Sequence, residues 1–305
     1  MISIFLKVII PVIIIFLIGF IFGKKFSPDQ KSFSSVSIYI LTPCLVFISL
    51  LESNEFFKIS TLKIFTSVTI LIIITYILVE LISRIFRIKK ELKTILLLTL
   101  ILPNTGNYGM PVIEYAFGKE ALPIASILLI IYIFFTNTLG IYIASNEKND
   151  YKSAFKNVLK IPVFYAMLLA IILSFFKIKV PEQLLAPIRS IGYSAIPVNL
   201  LLVGINLSNV KIDRGVLKVV VISLIKLIVI PVAGFVILKI FGIEGMAFKV
   251  SITQIAMPSA IYSSILATHF EGNEKLASEV VLISLLMSML TLPAVIYLLN
   301  FTLLP

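Results

Sequence analysis

Tryptophan is absent from the 305 residues, and cysteine and histidine occur once each, as Cys44 and His269. A single cysteine rules out an intrachain disulfide and a cysteine-based metal site. A single histidine cannot build a zinc centre alone. Without tryptophan, an aromatic belt at a membrane surface falls to the tyrosines. Charge is also scarce. Only 13% of residues are Asp, Glu, Lys or Arg, where a soluble domain carries about 25%. There is no P-loop, no HExxH helix, no nucleophile elbow and no pair of carboxylates inside an apolar run, so enzyme readings have little support.

What is there is apolar. Hydrophobic residues make up 59% of the chain and the mean hydropathy is +1.11. The net charge is +11. Its lysines and arginines fall in short clusters between apolar runs, which suits anionic lipid and the cytoplasm better than nucleic acid. A membrane span needs about 20 apolar residues. Ten runs qualify: 3–23, 34–51, 62–86, 93–117, 122–145, 158–177, 184–207, 215–241, 246–269 and 276–301. The second and seventh read as the least continuous, because Pro43 and Pro197 stand in their centres. The run from Ile2 to Phe22 is too long for a signal-peptide core and has no basic cluster before it. It is expected to be retained as a helix.

The two halves repeat. Ile10-Pro11-Val12 opens the first run and Ile161-Pro162-Val163 the sixth. Tyr39 precedes Pro43 by four residues, as Tyr193 precedes Pro197. Met110-Pro111 in the fourth run matches Met257-Pro258 in the ninth. A repeat of five helices is odd, so the second copy enters from the opposite side. The expectation is an all-α integral membrane protein of ten helices in two inverted five-helix repeats, 1–145 and 158–305, joined by a cytoplasmic linker at 146–157. Loops after odd-numbered spans hold sixteen basic residues against nine on the other face. The positive-inside rule then places the basic loops in the cytoplasm and both termini outside. The acidic group of Glu271, Glu274 and Glu279 reads as a loop running against this trend.

Proline breaks a helix by lacking an amide hydrogen and by clashing with the carbonyl one turn earlier. In hydrocarbon such a break survives only where its backbone is buried in protein or lines a cavity. Matched breaks in two halves point to a transporter's midplane site. The fourth run carries Leu102-Pro103-Asn104-Thr105-Gly106-Asn107-Tyr108-Gly109-Met110-Pro111, the most polar stretch within a span. Asn104, Thr105 and Asn107 offer donors and acceptors without full charge. Gly109 permits close approach of a ligand, and a half-helix starting near Pro111 would aim free amides at an anion. In the ninth run Gln254, Pro258 and Ser259 are the matching candidates, although serines in membrane helices more often pack or bond backbone. Pro43, Pro197 and Asn199 would face the site from bent helices, with helix–helix hydrogen bonding an equal reading. Glu80 lies four residues before Arg84, and a local ion pair explains it. Lys226, near the middle of the eighth run, reads as an anion-attracting cation, a proton carrier, a carboxylate partner or a snorkelling side chain. His269 reads as a solvated loop residue.

The segment Leu102-Pro103-Asn104-Thr105, followed by Gly109-Met110-Pro111 and Gly118, resembles the auxin efflux carrier family, which includes the plant PIN proteins and bacterial AEC permeases. The resemblance implies a scaffold of helices 1, 2, 6 and 7 and a transport unit of helices 3–5 and 8–10, with broken helices 4 and 9 crossing near the substrate. It carries Asn104 and Pro111 over as site residues of the first repeat, and Pro258 as the second crossover. The long central hydrophilic loop of many plant carriers is missing. Ser60 and Thr61 stand where an acidic residue of the third helix is associated with those carriers. The functional expectation is a multi-pass cell-membrane permease for a small organic anion, working by alternating access, without a cofactor or metal and without nucleic acid. Coupling to H+ or Na+ stays open, and a homodimer is compatible. The alternatives are a sodium-coupled organic anion symporter of the bile-acid-carrier type, and a membrane channel or receptor.

Overall fold

The computed structural model describes residues 2–53, 55, 58–144, 160–208, 210, 216–269 and 274–301. The linker expected at 146–157 lies outside the described residues, as do Lys148, Lys152, Lys156, Lys211, Arg214 and Glu271. Helices account for nearly all the rest: α1 (Ile2–Phe26), α2 (Gln30–Leu51), α3 (Ile59–Ile85), α4 (Lys90–Ile101), α5 (Met110–Phe117), α6 (Lys119–Ala144), α7 (Pro162–Phe175), α8 (Glu182–Leu207), α9 (Val216–Ile240), α10 (Gly245–Ile255), α11 (Ile261–His269) and α12 (Glu274–Phe301). Among the described residues there is no strand, only an isolated antiparallel bridge between Pro103 and Ser259.

Among the described residues, seven helices are long and apolar enough to cross a membrane: α1, α2, α3, α6, α8, α9 and α12; α7 is a shorter apolar helix. The fourth and ninth runs are each split, into α4 with α5 and α10 with α11. By contrast, the second and seventh runs are not the least continuous. Pro43 stands in the first turn of the α-helical part of α2, and Pro197 lies inside an unbroken α8. Glu279 is also no loop residue. It is buried within α12, and Glu274 begins that helix.

Proline shapes these helices through a recurring device. Five π-helical turns interrupt the described α-helices, at Phe5–Ile9, Ser37–Leu41, Thr105–Gly109, Thr136–Gly140 and Ile225–Val229. Four of them end two residues before a proline: Pro11, Pro43, Pro111 and Pro231. Each proline withholds a bond from, and would press on, the carbonyl four residues back, which is the central residue of the π turn. Widening that turn to i→i+5 bonding relieves the clash while keeping the helix going.

Close helix contacts come from glycine. A methyl group on Gly19 or Gly204 would strike backbone across the α1–α8 contact, at Leu201 and Phe16 respectively. One on Gly192 would reach the backbone of Cys44 and Leu45 in α2 at 2.8–2.9 Å. With dispersion and hydrogen bonds doing the work in lipid, such small residues let helices approach. The most extensive contacts join α8 to α1, α7 to α2 and α8 to α2. A second group joins α11 and α9 to α12 and α3 to α4 and α9. Leucines and isoleucines of α1 and α3 face outward, among them Leu17, Ile18, Ile77 and Leu81. Between α1 and α2, Asp29 caps α2 by accepting from the amides of Lys31 and Ser32 at 3.2 and 3.3 Å. The Ser32 hydroxyl, with those amides, holds the Asp29 carboxyl below its ordinary range.

Candidate functional site

Breaking α4 after Ile101 leaves carbonyls without their helical partners, and each must be satisfied if buried. Pro103 has no amide for Thr99, so the Thr99 carbonyl accepts from the Ser259 hydroxyl at 2.8 Å. The Asn104 amide turns away from Leu100 and donates to the Pro258 carbonyl at 2.8 Å. The vacated Leu100 carbonyl accepts from Lys226 Nζ at 3.0 Å. Leu102 accepts from the Ala260 amide at 2.8 Å, and Leu98 from the Ser263 hydroxyl at 3.1 Å. The two breaks thus meet as one turn of antiparallel pairing, Pro103 opposite Ser259. A third element closes the set, since the Ser259 amide donates to the Ser284 hydroxyl of α12 at 3.2 Å.

Beyond the break the chain re-forms a helix through the π turn Thr105–Gly109, in which the Gly109 amide donates to the Asn104 carbonyl at 2.9 Å. A side chain at 109 would run into Gln254 Oε1, so glycine here admits the glutamine rather than serving backbone strain. Gln254 donates through Nε2 to the Thr105 carbonyl at 3.4 Å, while its Oε1 is fully buried with no donor among the described residues. Tyr108 is buried too, and its hydroxyl oxygen accepts from Ser288 at 3.3 Å. The Asn104 side chain is buried and makes no side-chain hydrogen bond among the described residues; Asn107 is half-buried. The first amides of a helical segment have no partner one turn back and carry the positive end of its dipole.

Lys226 is 1% exposed. The snorkelling reading therefore does not hold. Its ammonium meets the C-terminal carbonyls of α4, the negative end of that helix dipole. No carboxylate lies within ion-pair distance of it among the described residues.

The fold brings Asn104, Thr105, Gly109, Gln254, Pro258, Ser259 and Lys226 into one bonded set. Ser259 spends both its hydroxyl and its amide on that framework, as the bland reading of membrane serines holds. Pro111 follows the π turn Thr105–Gly109 by two residues, and that widened turn accommodates its missing amide. Asn199 of α8 is bonded to the Ser37 hydroxyl of α2, and Pro43 is buried in α2, so their contacts tie helices together. Even so, α8 packs along the Thr105–Gly109 turn. Sequence reasoning overlooked Pro103, whose place in the quoted motif was the available signal, and Ser263, whose bond to Leu98 no local pattern signalled. Glu80 pairs with Lys93 at 2.8 Å more closely than with Arg84 at 3.9 Å.

Residues 4–296 match a protein family described as membrane transport protein. The chain is 29% identical over 300 residues to "Uncharacterized transporter MJ1031" of Methanocaldococcus jannaschii, covering 94% of this chain and 96% of that one. It is 24% identical over 302 residues to an uncharacterized transporter of Methanothermobacter thermautotrophicus, with 94% and 96% covered. It is 23% identical over 310 residues to "Uncharacterized transporter YfdV" of Escherichia coli K12, with 97% and 98% covered.

Proposed function

We propose that this chain, which belongs to the membrane transport protein family of auxin-efflux-carrier-like transporters, carries a small organic anion across the bilayer by alternating access. Lys226 is the observation that carries the anion reading. Burying an ammonium costs several kcal/mol even after relaxation. Its bond to the Leu100 carbonyl returns about 1.5–3 kcal/mol, and the helix end at most about 2. A carboxylate arriving at the crossing supplies the opposite charge that Lys226 lacks among the described residues. Asn104 and Asn107 bind it through their amide groups, and amides of the Thr105–Gly109 turn beyond Thr105, whose own amide donates to the Pro103 carbonyl, face its charge.

Moving parts follow from the packing. Helices α1, α2, α7 and α8 form one group held by glycine contacts, suited to serve as scaffold. The elements bonded through the crossing travel as the other unit, because separating α4 from α11 would expose several backbone groups at once. Two inverted five-helix repeats, with the basic loops in the cytoplasm, are the architecture this reading requires.

A sodium-coupled symporter is the second reading. One observation favours it: Gln254 Oε1 is a buried acceptor in want of a donor or cation. Against it stands Lys226, whose amine is bonded to the same crossing and, when charged, repels a metal ion in a low dielectric.

Purified protein in liposomes, loaded with one organic acid and presented with the labelled form outside, tests the proposal. Saturable exchange of carboxylates, unchanged when sodium is replaced by choline, is the expected result. Sodium-dependent uptake would select the second reading. Exchange of cationic or neutral solutes alone would overturn both.

A further inference from the structure

A charged cleft lies away from the crossing. A cavity of about 570 Å³ opens between the end of α3, the start of α4 and the end of α6. Tyr76 and Tyr142 stand on its walls, and Glu80, Arg84 and Lys93 at its polar end. None of these residues belongs to the bonded set around Asn104 and Lys226.

We propose that this cleft binds the headgroup of an anionic phospholipid. The inference rests on the chain spanning a bilayer and on nothing about its substrate. Glu80 draws Lys93 inward at 2.8 Å and neutralises it. Arg84 stays 3.9 Å away, with its side chain 82% exposed, so most of its guanidinium fork remains for a phosphate, which it matches in two-point geometry. The tyrosines border the space where ester and glycerol oxygens would lie. Below them Ile77 and Leu81 are half-exposed on the outer face of α3 and continue an apolar ridge with Ile73, Ile74 and Leu78. Acyl chains would run along that ridge. The cleft ends the span Ser60–Ile85. From Glu80 to Lys93 the sequence holds five basic residues and two acidic ones, the charge pattern that gathers anionic lipid beside a membrane helix. Its volume suits a headgroup of ordinary size. A soluble phosphate would find the same arginine but no use for the ridge, so the lipid is the occupant.

The test uses delipidated full-length protein in detergent, with dioleoyl phosphatidylglycerol, dioleoyl phosphatidylcholine or glycerol 3-phosphate added. Native mass spectrometry counts retained lipid, and thermal melting reads protection. Phosphatidylglycerol should be retained and should protect, while the other two should not. Arg84→Gln, at an exposed position, should weaken that binding about fivefold, the weight of one basic residue at an anionic lipid surface. The double variant Glu80→Gln/Lys93→Gln removes the clasped pair together and should leave part of the binding. Equal retention of both lipids, protection by glycerol 3-phosphate, or wild-type binding in Arg84→Gln would each overturn the proposal. No transport is measured, so these results leave the proposed function untouched.

Discussion

The amide of Asn104 donates to the carbonyl of Pro258 at 2.8 Å, across 154 positions of sequence. The bond joins the two helix breaks directly, and its counterpart from Ala260 to Leu102 makes the pairing reciprocal. A residue whose main chain is fixed this way presents its side chain from a rigid point, which is what a binding asparagine needs.

Asn104→Ala keeps the main-chain bond and removes only the carboxamide. Substrate affinity in liposome exchange should fall by about 1–3 kcal/mol, with the protein still folded and inserted. Wild-type affinity would take Asn104 out of the site.

Pro103 and Pro111 should behave differently on replacement by alanine. Pro103→Ala restores an amide that competes with the Ser259 hydroxyl for the Thr99 carbonyl, so α4 extends and the pairing with Ser259 weakens. Transport should drop by up to about tenfold, the effect of roughly one lost backbone hydrogen bond. Pro111→Ala, where the widened turn before it already accommodates the missing amide, should keep most of the rate. Initial uptake rates normalised to monodisperse protein decide it; the opposite ranking would defeat the account of the crossing.

Lys226 offers a separation of stability from function. Removing the buried charge lifts its burial cost, but the Leu100 carbonyl then loses its donor, at about 1–3 kcal/mol. The two effects oppose each other, so Lys226→Met should leave the melting temperature close to wild type while carboxylate exchange collapses. Lys226→Gln keeps polarity and should also lose carboxylates selectively. Unchanged uptake in both variants would leave the lysine a purely structural cap on Leu100.

Gly204→Ala places a methyl against the backbone of α1, where no side chain can yield. A loss of about 1–3 kcal/mol is expected from this overpacking, read as a lower midpoint in detergent unfolding. The same change at Gly106 meets only a leucine methyl of Leu129 at 3.2 Å and should cost less.

Orientation is tested by single-cysteine labelling in a Cys44→Ser background. Position 89, in the basic turn after α3, should react only after the membrane is permeabilised. Labelling from outside intact cells would reverse the topology.

Much of this molecule could be read along the chain. Runs of apolar residues gave the helices, and the Leu-Pro-Asn-Thr segment gave the family and the polar break. Even four of the five π turns have a local cause, a proline two residues on. The pairing of Met110-Pro111 with Met257-Pro258 was misleading at the crossing, however. Pro258 meets Pro103 and Asn104 there, and Pro111 only opens α5. Pro197 misled in the other direction, since α8 runs through it unbroken, packed against both α1 and α2.

The sequence alone determined which runs are apolar enough to cross lipid and that the fourth of them breaks at its polar, proline-bearing segment, because span length and the missing proline amide act within a turn or two of the residue concerned. Which groups would satisfy the failed turns was decided only by the tertiary structure. Nothing local assigns Ser259 to Thr99 or Lys226 to Leu100. Those bonds exist because an orphaned carbonyl in a membrane interior must find a donor wherever the packing brings one.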